Sequence, residues 1–260
     1  MKFTSVPQYS VTKFGDRATK YCIIPIVYDE GKRFIGQLER MKPNSGLVDI
    51  IVAERRSTDG STSPEVLKPL GVRTLLTTDE PGGACAIRMG FDYALKSGYE
   101  GVILIDGNGK DGVEALPGYV EKLDEGYDFV QGSRFMNGGV EKNTPFLRRI
   151  GIRAVMAPLI WLGSGFWYSD ATNGFRGYSK KYLTDPRIEP FRDCFVHFNI
   201  QYFLSVKAPK LGFRTVEIPV LRIYPDDGSV PTKVVGFWRN LLALWEMVLT
   251  VVGRYDVRGK

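Results

Sequence analysis

The sequence predicts an α/β domain built on a mostly parallel sheet with helices on both faces. Two observations predict it. Short, largely apolar runs recur at residues 21–27, 47–53, 72–77, 101–105 and 127–131, and near-continuous apolar runs of this length are what strands buried on both faces look like. Helical spacing lies between them, most plainly at Ala84, Ile87, Phe91, Ala94 and Leu95, with Gly98 as a natural stop. Strands alternating with helices imply parallel strands joined by crossovers.

Taken in order, residues 1–19 are polar and unpatterned and read as an N-terminal arm. The alternating domain is expected over residues 20–225. Past Val140 its pattern changes to a basic, then apolar helix over 144–162, a loop rich in Gly, Ser and aromatics over 163–175, a helix over 195–207 and a strand over 214–220. Residues 226–260 hold the remainder of a Pro/Asp/Gly linker that begins at Pro225, and a C-terminal amphipathic helix over 233–252. That helix carries Val234, Phe237, Trp238, Leu241, Leu242, Leu244, Trp245, Val248 and Leu249, against a narrow polar stripe of Arg239, Glu246 and Thr250. It reads either as an interfacial membrane helix with Trp anchors, or as a helix packed on the main domain or on a second copy in a homo-oligomer.

Composition narrows the function classes. The 260 residues are 43% hydrophobic and 25% charged, ordinary for a soluble globular protein. The formal charge of +6 fits phosphorylated substrates or an anionic membrane face. It fits nucleic acid least, because no basic-aromatic stripe accompanies it. Cys22, Cys85 and Cys194 are too few and too far apart for a disulfide framework or a zinc site, and read as buried thiols in a reducing compartment. No signal peptide opens the chain, and no apolar run approaches the ~18 residues of a spanning helix. The expected location is cytoplasmic, with peripheral contact at the inner membrane face.

Ligands of such sheets bind beyond the carboxyl ends of the strands. Those ends read Tyr28-Asp29-Glu30, then Glu54 to Ser61, then Asp79-Glu80, then Asp106-Gly107-Asn108-Gly109-Lys110-Asp111, then Gly132-Ser133-Arg134. Carboxylates, glycines and an arginine gathered at one edge suit a nucleoside diphosphate. The carboxylates serve ribose hydroxyls and a divalent cation; the cation and arginine serve the phosphates. The stretch Gly107-Asn108-Gly109-Lys110-Asp111-Gly112 also matches a dinucleotide fingerprint. It follows the fourth strand rather than the first, its acidic partner would be Asp128 at the start of a strand, and Asp106 would face the pyrophosphate. The dinucleotide alternative is therefore the weaker.

Five motifs in order carry a family resemblance across residues 21–222. They are Ile24-Pro25 with Tyr28-Asp29-Glu30; Ser57-Thr58-Asp59-Gly60-Ser61; Gly83 to Gly90 with Arg88; Gly132-Ser133-Arg134-Phe135 with Gly138-Gly139; and Asp170-Ala171-Thr172-Asn173-Gly174-Phe175-Arg176-Gly177-Tyr178. The chain resembles a family 2 glycosyltransferase of the GT-A fold, nearest in pattern to the dolichyl- and polyprenyl-phosphate sugar synthases. The resemblance implies a UDP- or GDP-sugar donor, an inverting transfer, and a lipid phosphate or glycan acceptor. It implies that Tyr28, Glu30 and Glu54 line base and ribose, with Pro25, Asp59, Arg88 and Gly107 in the same donor site. Arg134 and Arg176 would contact phosphates. Asp106 and Asn108 would form the metal site for Mg2+ or Mn2+.

Two departures stand out. Asn108 replaces an Asp, so the site loses a charge and Asp111 becomes the candidate substitute ligand. Glu54-Arg55-Arg56 replaces Asp-Asp-Gly. A degenerate sugar-nucleotide binding module is one alternative, and a transferase with a soluble or polysaccharide hydroxyl acceptor another. A nucleotidyltransferase would open with a Gly-rich basic loop that residues 28–33 lack. An alcohol acceptor needs a general base, for which Asp170 and Asp193 are the candidates. A phosphate acceptor needs none and suits the surplus of Arg148, Arg149, Arg153, Arg176, Lys180 and Lys181. His197, the one histidine, reads as packed or hydrogen-bonded.

Overall fold

The computed structural model describes residues 5–197, 199–226 and 237–257. In chain order it runs β1 (Ser10–Lys13), β2 (Tyr21–Val27), α1 (Lys32–Met41), β3 (Val48–Glu54), α2 (Pro64–Leu67), β4 (Val72–Thr77), α3 (Gly83–Lys96), β5 (Gly101–Asp106), α4 (Leu116–Asp124) and β6 (Phe129–Ser133). It continues β7 (Val140–Lys142), α5 (Phe146–Ile150), α6 (Ala157–Ser164), β8 (Arg176–Ser179), α7 (Lys180–Leu183), α8 (Asn199–Lys210), β9 (Thr215–Pro219), β10 (Leu221–Ile223) and α9 (Phe237–Val251).

Eight strands form one sheet in the order β1-β4-β3-β2-β5-β8-β6-β9, and β10 pairs with β7 in a small second sheet. The ladders β4–β3–β2–β5 and β6–β9 are parallel, while β8 runs antiparallel between β5 and β6. The expected mixed, mostly parallel sheet is the observed one. The pleat divides its side chains: Cys22 and Ile24 face a core with α3 and α8, whereas Tyr21, Ile23 and Val27 face a core with α1 and α4.

The five expected strands are present, two within identical bounds and three ending one or two residues later. The later ends bring Glu54, Asp106 and Ser133 into the ladders. Within the expected N-terminal arm, Ser10–Lys13 pairs antiparallel with β4. The helix expected over 144–162 is α5 and α6 joined by a π-helical stretch, Gly151–Met156. Pro158 follows that stretch and has no N–H for the ladder, which relaxes the helix there. The helix expected from residue 195 starts at Asn199 instead. The Asn199 Oδ1 accepts from the N–H of Val196 and His197 at 3.2 and 3.3 Å, and its Nδ2 donates to the Cys194 carbonyl at 2.7 Å. Those local bonds hold residues 194–197 out of the helix. Residues 227–236, including Val234 and most of the expected linker, lie outside the described residues.

The C-terminal helix packs on α6 and α8 through a mixed polar and apolar side, with its two tryptophans outward. Ala243, Glu246, Met247 and Thr250 are buried, whereas Trp238 is 77% exposed and Trp245 57%. No helix among the described residues is long and apolar enough to cross a membrane.

Candidate active site

The strand order reverses at β2, with β3 on one side and β5 on the other, and the crevice opens beyond these strand ends. The cleft there has a volume of ≈ 340 Å³. Tyr28, Glu30, Arg55, Asp106, Gly107 and Asn108 line it from the sheet edge, and His197, Arg239, Leu242 and Ala243 close it. The Arg55 guanidinium lies over the Tyr28 ring at 4.4 Å, a cation–π pair that makes one flat wall of the cleft. Glu30 is shared with Arg33 at 3.6 Å. His197 Nδ1 lies 3.1 Å from Glu246 Oε1, which ties α9 to the cleft.

Two glycines let the backbone close around Asp106. A Cβ on Gly107 would stand 2.8 Å from Val27 Cγ2, and one on Gly174 would stand 2.9 Å from Asp106 Oδ1. Gly174→Ala is therefore expected to displace the Asp106 carboxylate and weaken UDP or GDP binding by ~tenfold, about 1.4 kcal/mol. Titration calorimetry reads the binding, and an unchanged dissociation constant would count against a role for Asp106 in the cleft.

Behind Asp106 sits a buried charge cluster. The Arg222 guanidinium donates to Asp111 Oδ1 at 2.6 Å and to Asn173 Oδ1 at 3.1 Å, and stands 3.5 Å from Asp106 Oδ2. Burial works against its charge, but Asp111 and Asp106 outweigh that and hold its pKa above the ordinary value. Lys110 is almost fully buried with its ammonium 4.9 Å from the centre of the Tyr224 ring. Burial, and then Arg222, push its pKa down to about 7, against the pull of Asp106 and Asp111.

A second ion pair lies beyond β6. Arg134 donates from Nε to Asp170 Oδ2 at 2.6 Å and from the terminal amine to Oδ1 at 3.2 Å, with both side chains buried. Glu217 accepts from the N–H of Ser169 at 2.9 Å and of Asp170 at 3.2 Å, which fixes the loop that carries the pair.

Several expected site residues do something else. Arg176 is fully buried and gives its guanidinium to the carbonyls of Asn173, Gln201 and Ala171 at 2.8, 2.7 and 3.1 Å, so it braces the loop 170–174 instead of reaching a phosphate. Glu54 accepts from Thr77 Oγ1 and the Ser57 N–H at 2.8 and 2.7 Å, and so pins its own loop. Burial pushes the Asp59 carboxyl up, but hydrogen bonds from Ser61 and Gly31 outweigh it and hold the pKa below the ordinary value. Through those bonds Asp59 joins the loops after β2 and β3. Arg88 donates to the Ser5 carbonyl at 2.7 Å, and Pro25 is buried within β2 opposite Ile105. Asp111 points into the protein, so it does not join Asp106 and Asn108 as an open ligand. Arg222 and Lys110 were missed in the sequence, although Lys110 lies inside the quoted strand-end motif and Arg222 just past the end of the last expected strand.

No protein-family model matches the chain. Over 205 residues it is 27% identical to the polyprenol monophosphomannose synthase of Mycolicibacterium smegmatis, covering 76% of this chain and 75% of that one. Over 224 residues it is 28% identical to the undecaprenyl-phosphate mannosyltransferase of Micrococcus luteus, covering 82% and 89%. The chain is similar to family 2 glycosyltransferases. It shares its GT-A fold with glucosyl-3-phosphoglycerate synthase from Mycobacterium tuberculosis, crystallised with Mn2+, UDP and glucosyl-3-phosphoglycerate. That match has a TM-score of 0.59 at 15% identity and covers 90% of this chain and 79% of the synthase.

Proposed function

We propose that the enzyme transfers a sugar from a UDP- or GDP-sugar, bound in the cleft beside Asp106, to the phosphate of a polyprenol at the membrane surface. The observation that carries this reading is a second groove of ≈ 460 Å³, lined by Phe146, Arg149, Ile150, Arg153, Trp167 and Ser169. It is apolar apart from two arginines and Ser169, the residue before Asp170. A phosphate on an apolar chain matches that lining. Arg149 is shared with Glu141 at 2.8 Å, and Arg153 lies over the Phe135 ring at 5.6 Å. The names of the mycobacterial and Micrococcus relatives, which specify a polyprenol and undecaprenyl phosphate, support the same acceptor class.

The chemistry is a single displacement. An acceptor phosphate oxygen attacks the anomeric carbon, and the bond from that carbon to the β-phosphate oxygen breaks. The electron pair stays on the departing nucleoside diphosphate, and the configuration inverts. The acceptor is already ionised, so no proton has to be removed. The candidate bases agree: Asp170 is buried in its bidentate ion pair, and Asp193 is exposed and lines neither cleft.

The test is a panel of UDP- and GDP-sugars offered with undecaprenyl phosphate or with a free glycan. Transfer to the lipid phosphate is the expected result. Transfer to the glycan alone would overturn the acceptor assignment, and failure of every donor to react or bind would overturn the whole reading.

A further inference from the structure

The residues at the Asp106 loop do not assemble a site for a divalent cation. Such a cation takes several hard oxygen ligands in an open cage. Asp106 supplies one carboxylate, 36% exposed. The Asn108 Oδ1 is occupied by the Lys110 N–H at 3.3 Å, and its Nδ2 faces Asp106 Oδ2 at 3.5 Å, so the amide turns its donor to the carboxylate. Asp111 is fully buried on Arg222. Among the described residues no group of three His, Cys, Asp or Glu could hold a metal ion.

Where a metal would be expected, the chain has put cations of its own. Arg222 is held in place by Asp111 and Asn173, and cannot swing out without leaving the Asp111 carboxylate buried and unpaired. A dication bound at Asp106 would stand against this guanidinium. The Arg222 Nε–H has no hydrogen-bond partner among the described residues. The Lys110 ammonium is buried over the Tyr224 ring at 4.9 Å, on the same loop between Asn108 and Asp111.

We propose that Arg222 and Lys110 do for the donor diphosphate what a divalent cation would do, so that this enzyme binds its nucleotide without metal. The inference rests on the cleft beside Asp106 being the donor site. A fixed buried cation, held on its own partners behind Asp106, stabilises through space the charge that grows on the diphosphate as the sugar leaves. Asn108 belongs to the same arrangement: an Asp there would add an anion that only a metal would offset.

The test titrates UDP and GDP into the full chain by calorimetry, first in EDTA and then with Mn2+. Binding is expected to change by less than about threefold between the two. Asn108→Asp, nearly isosteric, is expected to bind nucleotide ~tenfold more weakly in EDTA, to recover with Mn2+, and to acquire Mn2+ binding visible by electron paramagnetic resonance on the nucleotide-free protein. Wild-type binding that needs Mn2+, or an Asn108→Asp variant that binds in EDTA as tightly as wild type, would overturn the inference while leaving the donor site intact. No binding of either nucleotide, with or without Mn2+, would overturn the donor reading and this inference together.

Discussion

Asp170→Ala is expected to destabilise the fold by about 3–5 kcal/mol, the cost of stranding a buried charge, as well as to abolish transfer. The Arg134 and Asp170 side chains are 1% and 0% exposed and face each other with two hydrogen bonds. Removing the carboxylate leaves a guanidinium that water cannot reach. A general base behaves differently, because its loss lowers kcat and leaves stability nearly unchanged. The double variant Arg134→Met/Asp170→Leu separates the two ideas further. With both charges replaced by apolar groups, most of the stability is expected to return, and transfer with it, because neither side chain lines the cleft or the groove. Urea unfolding followed by Trp fluorescence gives the stabilities, and product formation gives the transfer. An Asp170→Ala protein that unfolds at the wild-type midpoint but has lost kcat would restore Asp170 as a base.

The sheet was legible because its strands are buried on both faces. Residues 21–27 were placed by apolarity and residues 72–77 by a short run rich in Val, Leu and Thr, and the antiparallel insertion of β8 between β5 and β6 left no such trace. Arg176–Ser179 is a four-residue strand whose first member is a buried arginine. It pairs by backbone, and its arginine is hydrogen-bonded by carbonyls brought from α8 and from the loop 170–174. That is a tertiary contact with no local pattern. The delayed start of α8 has the same character: the periodicity ran on to residue 195, but the Asn199 side chain bonded to the backbone before it and ended the helix there.

In the site, the strand-end rule found Tyr28, Glu30, Asp106, Gly107 and Asn108, which the structure does bring into one cleft. It failed where a charged residue found a partner inside the protein. Glu54, Asp59, Arg88 and Arg176 carry the chemistry expected of ligand contacts, and their hydrogen bonds go to loops and segments of the protein itself. Sequence shows which groups are charged; it does not show which are already satisfied. The converse error hid Arg222. Its role comes from an isolated bridge with Asp111, across 111 positions of sequence, and nothing near residue 222 announces it.

Replacing Trp238 and Trp245 together with Ala is expected to release the enzyme from anionic liposomes by ~100-fold, taking about 1.5 kcal/mol for each apolar side chain withdrawn from the bilayer edge. Folding stability is expected to move by less than about 0.5 kcal/mol, as for other exposed positions. The reason lies in how α9 is seated. An amphipathic helix docked on a protein core turns its apolar stripe inward; this one buries Glu246 and Thr250 and leaves Trp238, Leu241, Leu242 and Trp245 facing out. The adjoining helix α6 exposes Trp161 and Leu162, and α5 exposes Phe146 and Leu147. Trp161 and Trp167 meet edge-on at 6.2 Å at one end of this surface. Exposed aromatic and aliphatic residues on neighbouring helices, with Arg149 and Arg153 close by, match the lipid–water boundary, where Trp settles and cations meet headgroup phosphates. The same face lies beside the groove proposed for the lipid phosphate, so docking would present the acceptor's phosphate to the donor from its own membrane. Flotation reads the partition and sedimentation velocity reads the alternative. If the double variant floats as wild type does, or if the substitution instead splits a dimer into monomers, the face belongs to a second copy of the chain and not to the bilayer.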